Sequence, residues 1–196
     1  MGRDRDPFDR AVAFMRERVA TLAPLQGAVV SINGLANHLQ ISQTPVREAL
    51  ATLAGEGLIV RTAAGYAGAT HDPTSLAQLY ALAELLALHA VRALGETRVG
   101  LGAAQTVTCA IDLVVDASDG AALRQAYRRV AAQLTPFETA AGLALSDDAS
   151  GLERLVGAFD GADVRARLLA VRAPLARRRR ASTRILAIAL GLQKPR

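Results

Sequence analysis

The chain has 196 residues, of which 51% are hydrophobic and 4% aromatic, and its formal net charge is +5. This composition excludes a disordered chain and favours helices, and the single cysteine, Cys109, excludes an internal disulfide and a cysteine-based zinc site. Residues 1–70 hold seven basic and six acidic residues, so the overall charge is weak support for a nucleic-acid partner.

The N-terminus, MGRDRDPFDR, is charged and no apolar segment of signal-peptide type follows it. The most apolar stretches, 81–94 and 185–192, are interrupted by charge or too short to span a bilayer. We therefore expect a cytoplasmic protein without a membrane partner.

Residues 1–70 predict three helices followed by two strands. Apolar residues from Phe8 to Leu22 recur at three- and four-residue spacing, which indicates an amphipathic helix ending before Pro24. Gly27 marks a turn. The remaining predictions are a short helix from an N-cap at Ser31 to Leu39, a helix from Ser42 or Thr44 to Gly55–Gly57, and strands at 58–61 and 66–69. This order is that of a winged helix-turn-helix.

The third helix has two different faces. Val46, Ala49, Leu50 and Leu53 share one arc, while the neighbouring arc carries Gln43, Thr44, Arg47 and Ala51. Arg and Gln at this spacing suit guanine and adenine edges in a major groove, and the helix N-terminus suits a phosphate. A solvated Arg-Glu pair at 47–48 is the plain alternative, but the flanking helix, turn and wing favour recognition.

Residues 71–75, with one proline and several capping residue types, mark a domain boundary. Helical periodicity dominates from Leu76 onward. We predict helices near 76–94, 101–117, 121–134, 151–159 and 163–190, and we expect Pro174 to kink or split the last. The fold class is thus mainly α: a winged helix-turn-helix at 1–70 and an all-α bundle at 71–196.

The segment LANHLQISQTPVREALATLAGEGLIVRTAAGYAGA, residues 35–69, resembles the DNA-binding domain of the GntR family of bacterial transcription regulators. The match is ungapped from Gly27 to Leu58, and TPVREAL is its most characteristic part. The resemblance implies that Ser42, Gln43, Thr44 and Arg47 contact bases and phosphates, and that the wing near Gly65 reaches the minor groove. Asn33 and Arg61 complete the candidate DNA contacts.

Two positions depart from the family pattern. Asn33 and Gln43 are neutral amides where the family often has arginine. Fewer neutralised phosphates predict weaker binding and a shallower salt dependence, and Gln43 could shift the preferred base toward adenine.

Residues 75–175 resemble the effector domain of the FadR-like branch, with a shortened stretch between Leu134 and Gly151 in which a helix is expected to be missing or curtailed. Most such domains bind a metal through one Asp and three His. The matching positions here are Tyr127, Ala131, Leu152 and Pro174, which supply no such ligand set, and no histidine follows His89. We expect no metal and no cofactor.

The resemblance further implies a homodimer on a short inverted repeat of double-stranded DNA and a small organic effector in the bundle; most relatives repress. The effector-binding residues are unknown from the sequence, since the bundle interior could hold an apolar pocket or be filled by side chains. Several arginines could anchor a carboxylate or simply be surface charges: Arg124, Arg128, Arg129, Arg165 and Arg172.

The run Arg177–Arg180 lies in a helical context, where consecutive residues point all round the axis. It is consistent with a solvated helix, a DNA-backbone contact or a dimer contact. No GxSxG, HExxH or Walker-type motif is present, so we expect no enzyme. The alternative function is a protein-interaction module that keeps the fold without binding DNA or effector.

Overall fold

The computed structural model describes residues 6–20, 25–145 and 148–194, which form two compact units. The first contains the described residues up to His71 together with Thr135–Phe137, and the second contains Asp72–Leu134 and the described residues from Glu138 onward. The first unit is therefore discontinuous in sequence.

The first unit is a winged helix-turn-helix. Its elements are α1 (Pro7–Ala20), β1 (Val29–Val30), α2 (Ile32–Leu39), α3 (Gln43–Gly55), β2 (Ile59–Thr62) and β3 (Gly65–Gly68), with Thr135–Phe137 as a short 3-10 turn. Met15, Leu50 and Leu53 are fully buried, and they join the apolar faces of α1 and α3 in one core. The predictions for Leu22 and Pro24 lie outside the described residues.

The sheet has three strands in the order β1-β3-β2, all antiparallel. The sequence predicted β2 and β3 within one residue of their observed bounds but missed β1. Two residues are too few for an alternating pattern, and β1 exists because Val29 and Val30 pair with Ala67 and Tyr66.

The second unit is all α, so the predicted fold class is confirmed for both halves. Its helices are α4 (Pro73–Leu94), α5 (Val107–Ala117), α6 (Ala121–Leu134), α7 (Glu138–Leu145), α8 (Asp148–Asp160), α9 (Val164–Arg180) and α10 (Ser182–Ala189). The shortened stretch, in which a helix was expected to be missing or curtailed, contains the eight-residue α7. A capping box starts α4, in which the Asp72 carboxylate accepts from the Ser75 N–H at 2.7 Å and the Ser75 hydroxyl accepts from the Asp72 N–H at 2.9 Å.

Two predicted boundaries in this unit were wrong. Residues 101–106 are not helical, and α5 begins only at Val107 after the N-cap Thr106. Pro174 does not split its helix either, because it lies inside α9 and the chain breaks at Ala181 instead. Pro174 removes one backbone donor, which the packing of a 17-residue helix tolerates.

Helix α4 is long and apolar enough to cross a membrane by length and composition alone. It instead contacts α5, α6, α9 and α10, with Leu76, Tyr80 and Ala87 fully buried against them. A core helix of a helical bundle has this character.

Candidate nucleic-acid interface

The turn between α2 and α3 fixes where α3 begins and how it is oriented. Ser31 caps α2 by accepting a 3.0 Å hydrogen bond from the Gly34 N–H. Gln40 ends α2 in the left-handed region at φ 52°, and the Ile41 N–H returns to the Ala36 carbonyl at 3.0 Å. These bonds close the turn within three residues, so α3 starts at a set angle to α2.

Two arginines of α1 bind the C-terminal ends of α2 and α3. The Arg10 guanidinium donates to the Leu39 carbonyl at 2.8 Å, which satisfies an end group of α2. Arg16 pairs with Glu56 at 3.0 Å, just after α3 ends. Both arginines are therefore engaged within the unit.

The exposed face of α3 carries the predicted contact residues. Val46, Ala49, Leu50 and Leu53 are buried, whereas Gln43, Thr44, Arg47 and Ala51 are exposed, and Ser42 is exposed at the N-cap. The inward and outward arcs predicted from the sequence are therefore the ones the helix has. The outward arc begins at the N-terminus, where unpaired N–H groups favour an anion.

The side chains of Arg47 and Gln43 are hydrogen-bonded to each other on this face. The Arg47 guanidinium donates to the Gln43 side-chain oxygen at 3.2 Å, one helical turn away. Among the described residues, the Ser42 hydroxyl makes no capping bond to α3. The face thus presents a guanidinium, an amide and a hydroxyl outward, which are groups that bind base edges and phosphates.

The wing is short and nearly uncharged. Arg61 pairs with Tyr66 and Thr62 with Gly65 across the hairpin, and the tip between them is Ala63-Ala64. Gly65 has φ +126°, a conformation that L side chains rarely adopt, so glycine is required there. Arg61 is exposed on β2 and is the cationic side chain of this hairpin.

The structure distributes the predicted site residues over three elements. Ser42, Gln43, Thr44 and Arg47 lie together on the first two turns of α3. Asn33 is exposed at the second position of α2, Arg61 lies on β2, and the half-buried Gly65 starts β3. Sequence reasoning missed the left-handed Gln40, because it expects glycine or asparagine at such a position.

In the second unit, the interior contains a hydrogen-bonded polar pair, of which the sequence analysis named Tyr127 but not Asp112. The buried Tyr127 hydroxyl donates to the Asp112 carboxylate at 3.0 Å. Burial raises the pKa of Asp112, which the bond from Tyr127 partly opposes, and burial followed by the nearby Asp112 charge raises the pKa of Tyr127. Tyr127 therefore remains a hydrogen-bond donor at neutral pH.

The positions that correspond to metal ligands in the resembled family do not form a donor set. Tyr127 is a phenol already bonded to Asp112, and Ala131, Leu152 and Pro174 have apolar side chains. Within residues 6–20, 25–145 and 148–194, no three His, Cys, Asp or Glu side chains are grouped to hold a metal ion.

The run Arg177–Arg180 does not form a basic patch. Arg178 is buried, Arg179 lies 3.6 Å from the Glu84 carboxylate, and Arg177 donates to the Leu145 carbonyl at 3.3 Å. Of these four described arginines, Arg177 and Arg179 are half-buried and Arg180 is exposed.

A cleft of about 440 Å³ lies between α8 and α9 in the second unit. Its walls include Gly151, Ala158, Ala166 and Ala170, and Arg154 also lines it. Small-ligand sites have similar volumes and apolar walls.

The fold is that of GntR-type transcription regulators. The E. coli protein McbR/YncC has 16% sequence identity and a TM-score of 0.64 over 95% of this chain and 98% of its own. A GntR transcriptional regulator from Rhodococcus sp. RHA1 has 15% identity and a TM-score of 0.64 over 95% of this chain and 99% of its own.

A third similar structure is Lar, described as controlling expression of the Listeria monocytogenes agr system. It has 11% identity and a TM-score of 0.51 over 96% of this chain and 97% of its own. No protein-family model and no curated protein sequence matches the chain. At these identities the likeness establishes the fold alone.

Proposed function

We propose that this protein is a sequence-specific transcription regulator that binds double-stranded DNA through α3. The observation that carries the proposal is the outward arc of α3, where Arg47 and Gln43 are bonded at 3.2 Å beside the exposed Ser42 and Thr44. Arg47 reads guanine, Gln43 reads adenine, and Ser42 and Thr44 bind the phosphate at the helix N-terminus. Asn33 and Arg61 bind backbone phosphates, and the wing at Gly65 lies over the minor groove.

The regulator acts as a cytoplasmic homodimer on a short inverted repeat, because two recognition helices related by a twofold axis read two identical half-sites. A small organic effector shifts the dimer between binding-competent and incompetent arrangements, and the protein represses. The α8–α9 cleft supports the effector part of the proposal, since its volume of about 440 Å³ suits a small molecule.

The test is selection from a random DNA pool, followed by anisotropy titration of the selected sequences at several salt concentrations. We expect a short palindrome that binds the wild type and loses affinity with Arg47→Ala. Arg92→Ala is the matched control, because it removes one exposed arginine from α4 without touching α3. Absence of enrichment, or equal loss in both variants, would overturn the proposal.

One observation favours the second candidate, a protein-interaction module. Among the described residues of the first unit, α3 and the wing carry the exposed cations Arg47 and Arg61, while Arg10 and Arg16 are engaged within the unit and Arg18 lies over the Phe14 ring. Such a face supplies little phosphate neutralisation. This candidate predicts no sequence-specific binding at physiological salt, so the same titration separates the two.

A further inference from the structure

Arg178 is an almost fully buried cation in the middle of the second unit. Its side chain is 3% exposed, and it points inward from α9 toward α5 and α7. One terminal nitrogen, Nη1, donates to both carboxylate oxygens of Glu138 at 3.0 Å and to the Thr108 hydroxyl oxygen at 2.8 Å. A guanidinium at this depth is stable only because these oxygens replace its water.

The partners of Arg178 are tied to each other. The Thr108 hydroxyl donates to Glu138 Oε2 at 2.6 Å, so α5, α7 and α9 meet in one closed group of hydrogen bonds. Glu138 is the first residue of α7, and its side chain is 29% exposed. The guanidinium is thus more deeply buried than the carboxylate that balances it.

The Tyr127–Asp112 pair belongs to the same polar interior. Arg178 and Glu138 both act electrostatically on Asp112 and on Tyr127. By the resemblance, Tyr127 matches one ligand position of the metal-binding domains, and Arg178 lies one helical turn beyond Pro174, which matches another. The buried guanidinium is therefore close along α9 to one matched position and acts electrostatically on the side chain at the other.

These donors do not suit a divalent ion. Two carboxylates and a hydroxyl are hard oxygen ligands, but Glu138 and Thr108 already face Arg178, and Asp112 already accepts from Tyr127. A second cation would have to displace these bonds and sit close to a buried positive charge, which is strongly unfavourable in a low-dielectric interior.

We propose that the Arg178 guanidinium does in this bundle what a metal ion would otherwise do. Its positive charge balances the Glu138 carboxylate, and the second unit is therefore stable without a metal ion. The cation, Arg178, comes from α9, and its counter-charge, Glu138, comes from α7. The Arg178 side chain therefore both joins these two helices and compensates the buried charge. This role is independent of DNA binding.

The test combines thermal unfolding with metal analysis on the full-length protein. We expect Glu138→Gln to lower the Tm by about 10 °C, because it leaves a buried guanidinium without its counter-charge. The double variant Glu138→Gln with Arg178→Met should melt higher than Glu138→Gln alone, since no buried charge then remains uncompensated. Removal of metals with EDTA should leave the wild-type Tm unchanged, with far less than one metal ion per chain found beforehand.

The matched control is the exposed ion pair between Arg128 and Asp116, whose 2.8 Å contact is as short as those of Arg178. Arg128→Met and Asp116→Asn should each shift the Tm by less than about 2 °C. Should Arg178→Met not fold, Thr108→Val replaces it, and its Tm loss with Glu138→Gln should be smaller than the sum of the two single losses. The proposal is overturned by a tightly bound metal whose removal lowers the Tm, or by a Glu138→Gln shift no larger than the control.

Discussion

Replacing Gly68 with alanine perturbs the closest backbone approach in the first unit. A Cβ at this position would lie 1.4 Å from the Leu25 carbonyl oxygen and 2.4 Å from its carbon. Real Cβ contacts stay beyond 3.0 Å, so β3 and the Leu25 backbone would have to separate by about 1.6 Å. Neither side of this contact is a flexible side chain that could turn away.

The expected cost follows from the bonds that such a separation breaks. The Gly68 N–H donates to the Ala28 carbonyl at 2.9 Å, and the neighbouring Ala67 pairs with Val29 of β1. Losing about two backbone hydrogen bonds and the packing between β1 and β3 amounts to roughly 3 kcal/mol. For a chain of this size that is a Tm loss of about 10 °C.

Two other glycines make the assay specific. Gly65→Ala meets no atom within 4 Å but must adopt φ +126°, so we expect a loss of about 1–2 kcal/mol. Gly55→Ala also meets nothing, lies at the end of α3 and needs no positive φ, so it should be neutral or stabilising by up to about 1 kcal/mol. Calorimetry should give the largest loss of Tm for Gly68→Ala, a smaller loss for Gly65→Ala and none for Gly55→Ala. A Gly68→Ala protein that melts within about 2 °C of wild type would refute the reasoning.

Three further outcomes are expected. Under the proposed function, Arg47→Ala should weaken binding by about 1–3 kcal/mol per half-site and relax the preference for guanine at the base that Arg47 contacts, whereas Arg92→Ala should change neither; unchanged affinity and unchanged base preference in anisotropy titrations would contradict this. Gln43→Arg should steepen the salt dependence and change the selected base toward guanine, and an unchanged selected operator would count against a base contact by Gln43. Because the pKa of Asp112 is raised in the folded state, the stability that Asp112 contributes is present at low pH and is lost as the pH rises through the folded-state pKa. The variant Asp112→Asn still accepts the hydrogen bond from Tyr127 and does not ionise, so it should gain stability relative to wild type as the pH rises through that pKa. Urea unfolding at several pH values should show that the difference in free energy of unfolding between the two proteins grows with pH over this range.

Helix α3 was predictable because its two faces are encoded locally. Val46, Leu50 and Leu53 repeat at helical spacing, and polar residues occupy the neighbouring arc. The wing was predictable for the same reason, since Gly65 marks a turn between two short strands. Strand β1 was not, because its existence depends on β3, almost 40 residues away.

The helical half shows where local pattern reading fails. A proline is the strongest break signal in a sequence, yet α9 continues through Pro174 and ends at Ala181, where no break signal exists. The buried face of α9 includes Arg167 and Arg178, although arginine side chains are usually exposed to solvent. Their spacing to Val171 and Leu175 was the available signal, because all four lie on one face of the helix.

Arg167 illustrates why such residues escape a sequence argument. Its guanidinium donates to the carbonyls of Gly95, Thr97 and Gly161 at 2.7–2.8 Å and lies over the Phe159 ring. Backbone carbonyls carry no residue identity, so no motif announces a partner for this arginine. Only the folded paths of the loop after α4 and of the turn between α8 and α9 bring those carbonyls together.

The two alanines at the wing tip limit how much sequence information the proposed interface can extract from DNA. Ala63 and Ala64 carry no side-chain donor or acceptor, so the wing can sense groove width but cannot distinguish one base pair from another. Discrimination then depends on the few positions under α3, and each half-site should be short and low in information content. Spacing and symmetry between two half-sites must supply the remaining selectivity, and a genome search for targets should weight the palindrome above the identity of any single base.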